Sequence, residues 1–154
     1  MKFTTTDNHF DQRIQNLYIK FLGKNNDISV INIDHCVAEY ILGYYMMRNT
    51  PWSEVDEVFF PIHVSKEKHW VLGCLKFKDK KIYVYNSMRS ARSKTLALVC
   101  LEAYSVLLPL FLDVVDFWEK YEDQGFKAVS DSKKNMTDPF DVVFVDELPF
   151  QENK

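Results

Sequence analysis

Three runs of sequence decide the fold: Glu57-Val58-Phe59-Phe60-Pro61-Ile62-His63-Val64, then Trp70-Val71-Leu72-Gly73-Cys74-Leu75-Lys76-Phe77, then Lys81-Ile82-Tyr83-Val84-Tyr85. Each is rich in β-branched and aromatic residues, the types that fit a pleated, half-buried surface. A short polar connection between the second and third runs predicts a hairpin. Apolar residues on both faces of that hairpin predict a central, covered position in a sheet. With Lys78-Asp79 as a two-residue turn, Phe77 pairs with Lys80, and Asn86 falls opposite Val71. His69 is then a diagonal neighbour of Asn86 on the same face, within reach of a long side chain. A three-residue turn would reverse the parity and separate the two.

Working outward, residues 36–48 predict a helix with Val37, Ile41, Tyr44 and Tyr45 at helical spacing, capped by Asn32 or Asp34 and ended by Asn49-Thr50-Pro51. A long helical region is expected over 91–122, either one core helix or two helices broken near Pro109. Residues 123–138 read as polar loop, and 142–145 as a last short strand followed by an extended tail. Helix, three strands, long helices and one strand make an α+β class. We read 1–30 as an N-terminal extension with a first helix and 31–154 as the main domain. A sheet of this size calls for a helix after the last strand, so the expected domain is incomplete, with one sheet face poorly covered.

Composition narrows the function. The 154 residues are 47% hydrophobic and 15% aromatic, which excludes a disordered chain. Four glycines, none in a phosphate-cradling pattern, argue against a nucleotide loop. The net charge of −3 and the absence of a basic block argue against nucleic acid as partner; the densest basic stretch, residues 76–81, reads as a solvated turn. Residues 96–115 are mostly apolar, but Glu102, Pro109 and Asp113 favour a core helix over a membrane span. No apolar leader opens the sequence. Cys36, Cys74 and Cys100 are odd in number and lack zinc spacing, which fits a reducing, intracellular compartment (nucleus or cytoplasm) and no metal or other cofactor.

Histidine is the usual general base and needs an orienting group on its second ring nitrogen. Of His9, His35, His63 and His69, only His69 has a recognisable partner, Asn86; ordinary polarity at strand ends is the plainer reading of that pair. His63 reads as a packed or edge histidine. The order Cys36, His69, Asn86 mimics a Cys-His-Asn triad, and Cys36 lies near a helix start where a thiolate is stabilised. Its surroundings lack a nucleophile context, while Cys74 and Cys100 read as buried small hydrophobes. The carboxylate pairs, such as Asp113 with Asp116, fit solvated helix faces.

Residues 55–64, then Lys68-His69-Trp70-Val71-Leu72, then Lys81-Ile82-Tyr83-Val84-Tyr85-Asn86-Ser87 resemble the ubiquitin-like-protein-specific protease family, closest to its plant members. The resemblance covers roughly 31–154. It implies a papain-like cysteine peptidase fold, a mixed sheet flanked by helices, and an activity that cleaves SUMO or related modifiers from their conjugates. His69 matches the family's general base, Trp70 the substrate-binding neighbour in its His-Trp pair, and Asn86 the acidic orienter. Gln151 matches the oxyanion-hole glutamine. Residues 34–40 resemble the family's early helix, which makes Cys36 structural. Three departures stand out: the nucleophile falls beyond Lys154 together with its helix, Asn86 replaces an Asp, and Ile31 or a neighbour replaces a tryptophan of the substrate channel. The expectation is therefore a domain without peptidase activity over 1–154, with a modifier-binding module or a non-functional gene fragment as alternatives.

Overall fold

The computed structural model describes residues 1–44, 50–66, 68–88, 90–123 and 136–145. Among these, five strands form one mixed sheet in the order β1-β2-β3-β4-β5. They are β1 (Phe3–Thr5), β2 (Glu57–Val64), β3 (His69–Lys76), β4 (Lys81–Tyr85) and β5 (Asp141–Phe144). The inner pairs β2/β3 and β3/β4 are antiparallel, and the edge strands β1 and β5 run parallel to β2 and β4. Helices α1 (Asn8–Gly23), α2 (Cys36–Leu42), α3 (Ala91–Val114) and α4 (Phe117–Asp123) complete the α+β architecture.

The segment read as an extension supplies both an edge strand and a core helix. Asp7 caps α1 by accepting the Phe10 N–H at 2.9 Å, and Phe10, Ile14, Leu17 and Phe21 form its buried stripe at helical spacing. On the sheet, Val58, Phe60, Ile62 and Val64 of β2, Val71 and Leu75 of β3, and Ile82 and Val84 of β4 are buried in the same core. Aromatic rings knit the layers: Phe60 lies 4.9 Å from Tyr104 of α3, and Phe10 lies 4.9 Å from Tyr40 of α2. A second aromatic group, Phe77, Phe117, Trp118 and Tyr121, packs α4 beneath the hairpin.

Helix α2 ends at Leu42, short of the expected 48. Gly43 adopts the left-handed conformation (φ 85°), and the Tyr44 N–H bonds back to the Glu39 carbonyl at 2.9 Å, a Schellman-type stop. Tyr44 is accordingly exposed and not on a buried helical face. Residues 45–49, which include the expected Tyr45 position and the Asn49 stop, lie outside the described residues. The cap is His35 and neither Asn32 nor Asp34: the His35 Nδ1 accepts the Val37 N–H at 3.1 Å. Asn32 instead closes a turn by accepting the Asp34 N–H at 2.7 Å.

Pro109 does not break α3, which runs through it to Val114. A proline has no N–H to give the carbonyl four residues back, here that of Ser105. The Phe140 N–H takes that place at 3.0 Å, while the Ser105 Oγ donates to the Phe140 carbonyl at 2.6 Å. The proline thus opens a docking point for the residue just before β5. The break comes later, at Asp116 (φ 56°). By length and composition α3 could cross a membrane, yet half of its apolar window is buried, with Leu101, Tyr104, Leu108 and Phe111 in the core.

The hairpin turn spans Phe77 to Lys80, four residues where two were expected, with Lys80 in the left-handed region (φ 53°). Parity is unchanged, since two residues were added. The central strand β3 is covered on one face only among the described residues: Trp70 and Leu72, on the other face, are 50% and 39% exposed. Cys74 shares that face but is buried between its cross-strand neighbours Phe59 and Tyr83.

Candidate active site

The register carries the chemistry. Leu72 faces Tyr85, so Asn86, one step beyond β4, is level with Val71, and His69 opens β3 two residues away on the same face. The His69 Nε2 and the Asn86 Oδ1 are 3.2 Å apart. Helix α3 starts beside them: Ser90 caps it by accepting the Ser93 N–H at 3.0 Å, and the Ser93 Oγ accepts from the Asn86 Nδ2 at 3.1 Å. The Met88 N–H donates to the Asn86 Oδ1 at 3.0 Å. Asn86 is 8% exposed and Ser93 fully buried.

These contacts select the tautomer of the neutral imidazole. A backbone N–H can only donate, so the Asn86 atom facing Met88 is the carbonyl oxygen. His69 must then donate to that oxygen through Nε2–H. A neutral His69 therefore keeps its lone pair on Nδ1, a nitrogen shielded from solvent. That is the tautomer a general base needs when a second group orients its other nitrogen.

Trp70 points to the opposite face of the sheet, where its half-exposed ring stands 4.7 Å from the ring of His63. His63 is thus an exposed histidine tilted against the Trp70 ring; its backbone N–H donates to the Asp11 Oδ2 at 3.1 Å. His9 and His35, for which the sequence offered no partner, have local ones: the Arg13 Nε lies 3.4 Å from the His9 Nε2, and His35 caps α2. Burial first, then Arg13 and Lys20, lowers the His35 pKa, which keeps Nδ1 free to accept in the cap. Gln151 lies outside the described residues.

None of the three thiols is activated. Burial pushes the Cys74 pKa up to about 12, and burial likewise raises Cys36 and Cys100. A nucleophilic cysteine needs the opposite shift. Cys74 is also five residues along β3 from His69, roughly 17 Å, and on the other face. The Cys36 Sγ sits 4.0 Å from the His35 Nδ1, which the α2 cap already engages.

Asp11 escaped the sequence reading. Its carboxylate is 4% exposed and accepts the Tyr104 hydroxyl at 2.6 Å and the His63 N–H, pinning α1 and α3 to the end of β2 beside the His69 strand. An acid at Asp11, between Phe10 and Ile14 of the apolar stripe, was the available signal. Among the described residues no group of three His, Cys, Asp or Glu side chains is placed to hold a metal. A cavity of about 560 Å³, lined in part by Arg13, Lys20, Lys24 and Asp34, lies between α1 and the loop before α2.

A mixed sheet flanked by helices, with a histidine held by an asparagine amide at adjacent strand ends, is a layout suited to cysteine-peptidase chemistry. Residues 7–154 match the family described as the Ulp1 protease family, C-terminal catalytic domain, and the chain belongs to that family. Two solved structures also match: the SUMO protease Ulp1 with its catalytic cysteine oxidized to a sulfonic acid, and the same protease with that cysteine oxidized to a sulfinic acid. Each is 19% identical with a TM-score of 0.34; they cover 86% and 88% of this chain and 54% of their own. The chain thus spans about half the length of those structures. No curated protein matches it.

Proposed function

We propose that the chain is the base-bearing part of a cysteine peptidase domain acting on SUMO-type modifiers and their conjugates. The observation that carries this reading is the His69–Asn86 hydrogen bond, with its amide oriented by Met88 and Ser93. In the proposed reaction the His69 Nδ1 takes the proton of the nucleophilic thiol, and the resulting imidazolium keeps its Nε2–H on the Asn86 Oδ1. The thiolate attacks the carbonyl at the end of the modifier, and the imidazolium returns the proton to the leaving amine. An amide holds the ring but stabilises its cationic form less than the carboxylate of the family pattern. Gln151 is assigned to the oxyanion, a donor usually worth ~10²–10³ in rate. Trp70, next to His69 in the chain and half-exposed on the opposite face of the sheet, is assigned to the modifier's tail.

The thiol served by His69 is none of Cys36, Cys74 and Cys100, whose shifts all disfavour the thiolate. That same observation favours a second reading, a module that binds the modifier without cleaving it. The test is conjugate cleavage by the protein and its His69→Gln variant. The peptidase reading expects release of the modifier and a loss of about 10²–10⁴-fold in the variant. Release unchanged by His69→Gln would overturn the assignment of the base. Absence of cleavage with retained modifier binding would replace the first reading by the second.

A further inference from the structure

The geometry points to Ser93 as a positioning residue that sets the orientation of Asn86 and, through it, the tautomer of His69; this rests on the pairing of base and orienter proposed above. An asparagine differs from an aspartate in having two unlike ends. Turned over about its last bond, it would aim an N–H₂ at the imidazole and force the opposite tautomer, with the lone pair on Nε2 and the proton on Nδ1. An aspartate at the same place has no wrong orientation, so an amide orienter needs something that an acid does not.

Two contacts supply it. The Met88 N–H marks one end of the amide as the acceptor end. The Ser93 Oγ, 3.1 Å from Nδ2, accepts from the donor end. Ser93 is suited to this by its own anchoring. It is fully buried, it occupies the third position of α3, and its backbone N–H is held by the Ser90 cap at 3.0 Å. The start of a 24-residue core helix therefore fixes the hydroxyl in space. Without that hydroxyl, the buried Nδ2 loses its acceptor, and the amide gains from turning or tilting away from His69.

The test reads the ring nitrogens of His69 by ¹⁵N NMR of the full 154-residue chain, with the signal assigned by its loss in His69→Gln. In the parent protein neutral His69 should be the Nε2–H tautomer, its ring proton exchanging slowly with water. Ser93→Ala should give a mixture of tautomers and exchange roughly tenfold faster, the effect expected from losing one buried amide hydrogen bond. If Ser93→Ala does not fold, Ser93→Cys, similar in volume and a weak acceptor, should shift the tautomer in the same direction. In an Asn86→Asp background, Ser93→Ala should leave the tautomer unchanged, because a carboxylate has no ends to exchange. A purely structural role for Ser93 would lower stability without moving the tautomer, and that result would overturn the proposal. Asn86→Ala separates the two levels. If it shifts the tautomer while Ser93→Ala and Ser93→Cys do not, Ser93 alone is wrongly assigned. If Asn86→Ala changes nothing, the base and orienter pairing itself falls.

Discussion

Tyr104→Phe removes one hydroxyl and little else. The ring keeps its neighbours, with Phe60 at 4.9 Å and Phe10 at 6.1 Å. What is lost is the 2.6 Å hydrogen bond to Asp11, whose carboxylate is 4% exposed and also holds the His63 N–H at the end of β2. Hydrogen bonds to charged groups contribute about 1.5–3 kcal/mol. For a domain of this length that is a fall in Tm of roughly 3–12 °C. The pH dependence sharpens the test. Burial first, then the Asp11 charge and hydrogen bond, holds the Tyr104 hydroxyl well above its ordinary pKa of 10. Above pH 10 the unfolded chain has lost this proton and the folded chain has not, so the unfolded state binds fewer protons and stability falls as pH rises. The slope is about 1.4 kcal/mol per pH unit until the folded group titrates. The phenylalanine variant lacks that fall. Tyr121 and Cys74, each raised to about 12, lower the alkaline stability of both proteins alike, so the difference between them isolates Tyr104. Urea melts of both proteins between about pH 8 and about pH 11 should show a gap that is full at the lower end and closes above pH 10. A neutral-pH loss below about 0.5 kcal/mol, the size of an ordinary surface change, would refute the reasoning. So would a gap that stays constant across the range.

Gly43→Ala should destabilise the chain by at least ~1–2 kcal/mol, because φ is 85° and the new Cβ would lie 2.6 Å from the Pro51 Cγ; an unchanged thermal melt would count against the left-handed stop of α2. Ser105→Ala removes the 2.6 Å bond to the Phe140 carbonyl. It should cost about 0.5–1.5 kcal/mol and speed amide exchange along β5, and unaltered exchange there would contradict the docking of β5 at the proline site. At neutral pH, iodoacetamide should alkylate Cys36, Cys74 and Cys100 more slowly than free cysteine, since all three pKa values are raised. Rapid labelling of Cys36 would reopen it as a nucleophile.

The strands around the site were legible because their signals are local and mutually consistent. β2 and β4 are found at the expected residues, and β3 begins one residue early, at His69. The pairing of His69 with Asn86 was conditional on the turn, with strand-end polarity the plainer reading; the longer turn leaves the register unchanged, because one residue is added on each side, and the pair forms. What holds Asn86 was not legible. Met88 and Ser93 act through a loop and a helix start whose placement depends on packing, and nothing in the local pattern distinguishes Ser93 from the other serines. β1 was missed because three residues, Phe3–Thr5, become a strand only through parallel pairing with β2. At α2 the apolar spacing of Tyr44 and Tyr45 pointed to a longer helix, but Gly43 in the left-handed region ends it. At Pro109 the rule that proline ends a helix was overridden, because Phe140 supplies the donor the helix lost. His35 had no identifiable partner in the sequence, yet burial and nearby cations suit it to be a neutral cap.

The proposed function is tested most directly by recognition of a SUMO-type modifier through Trp70, which follows His69 in β3 and stands half-exposed on the opposite face of the sheet. Titration of the 154-residue chain with the free modifier, repeated with Trp70→Ala, tests it. The account predicts saturable binding on the order of micromolar, about −8 kcal/mol, weakened in the Trp70 variant, with its fold checked by a cooperative melt. Absence of binding by a chain that melts cooperatively would contradict it, as would binding that Trp70→Ala leaves unchanged.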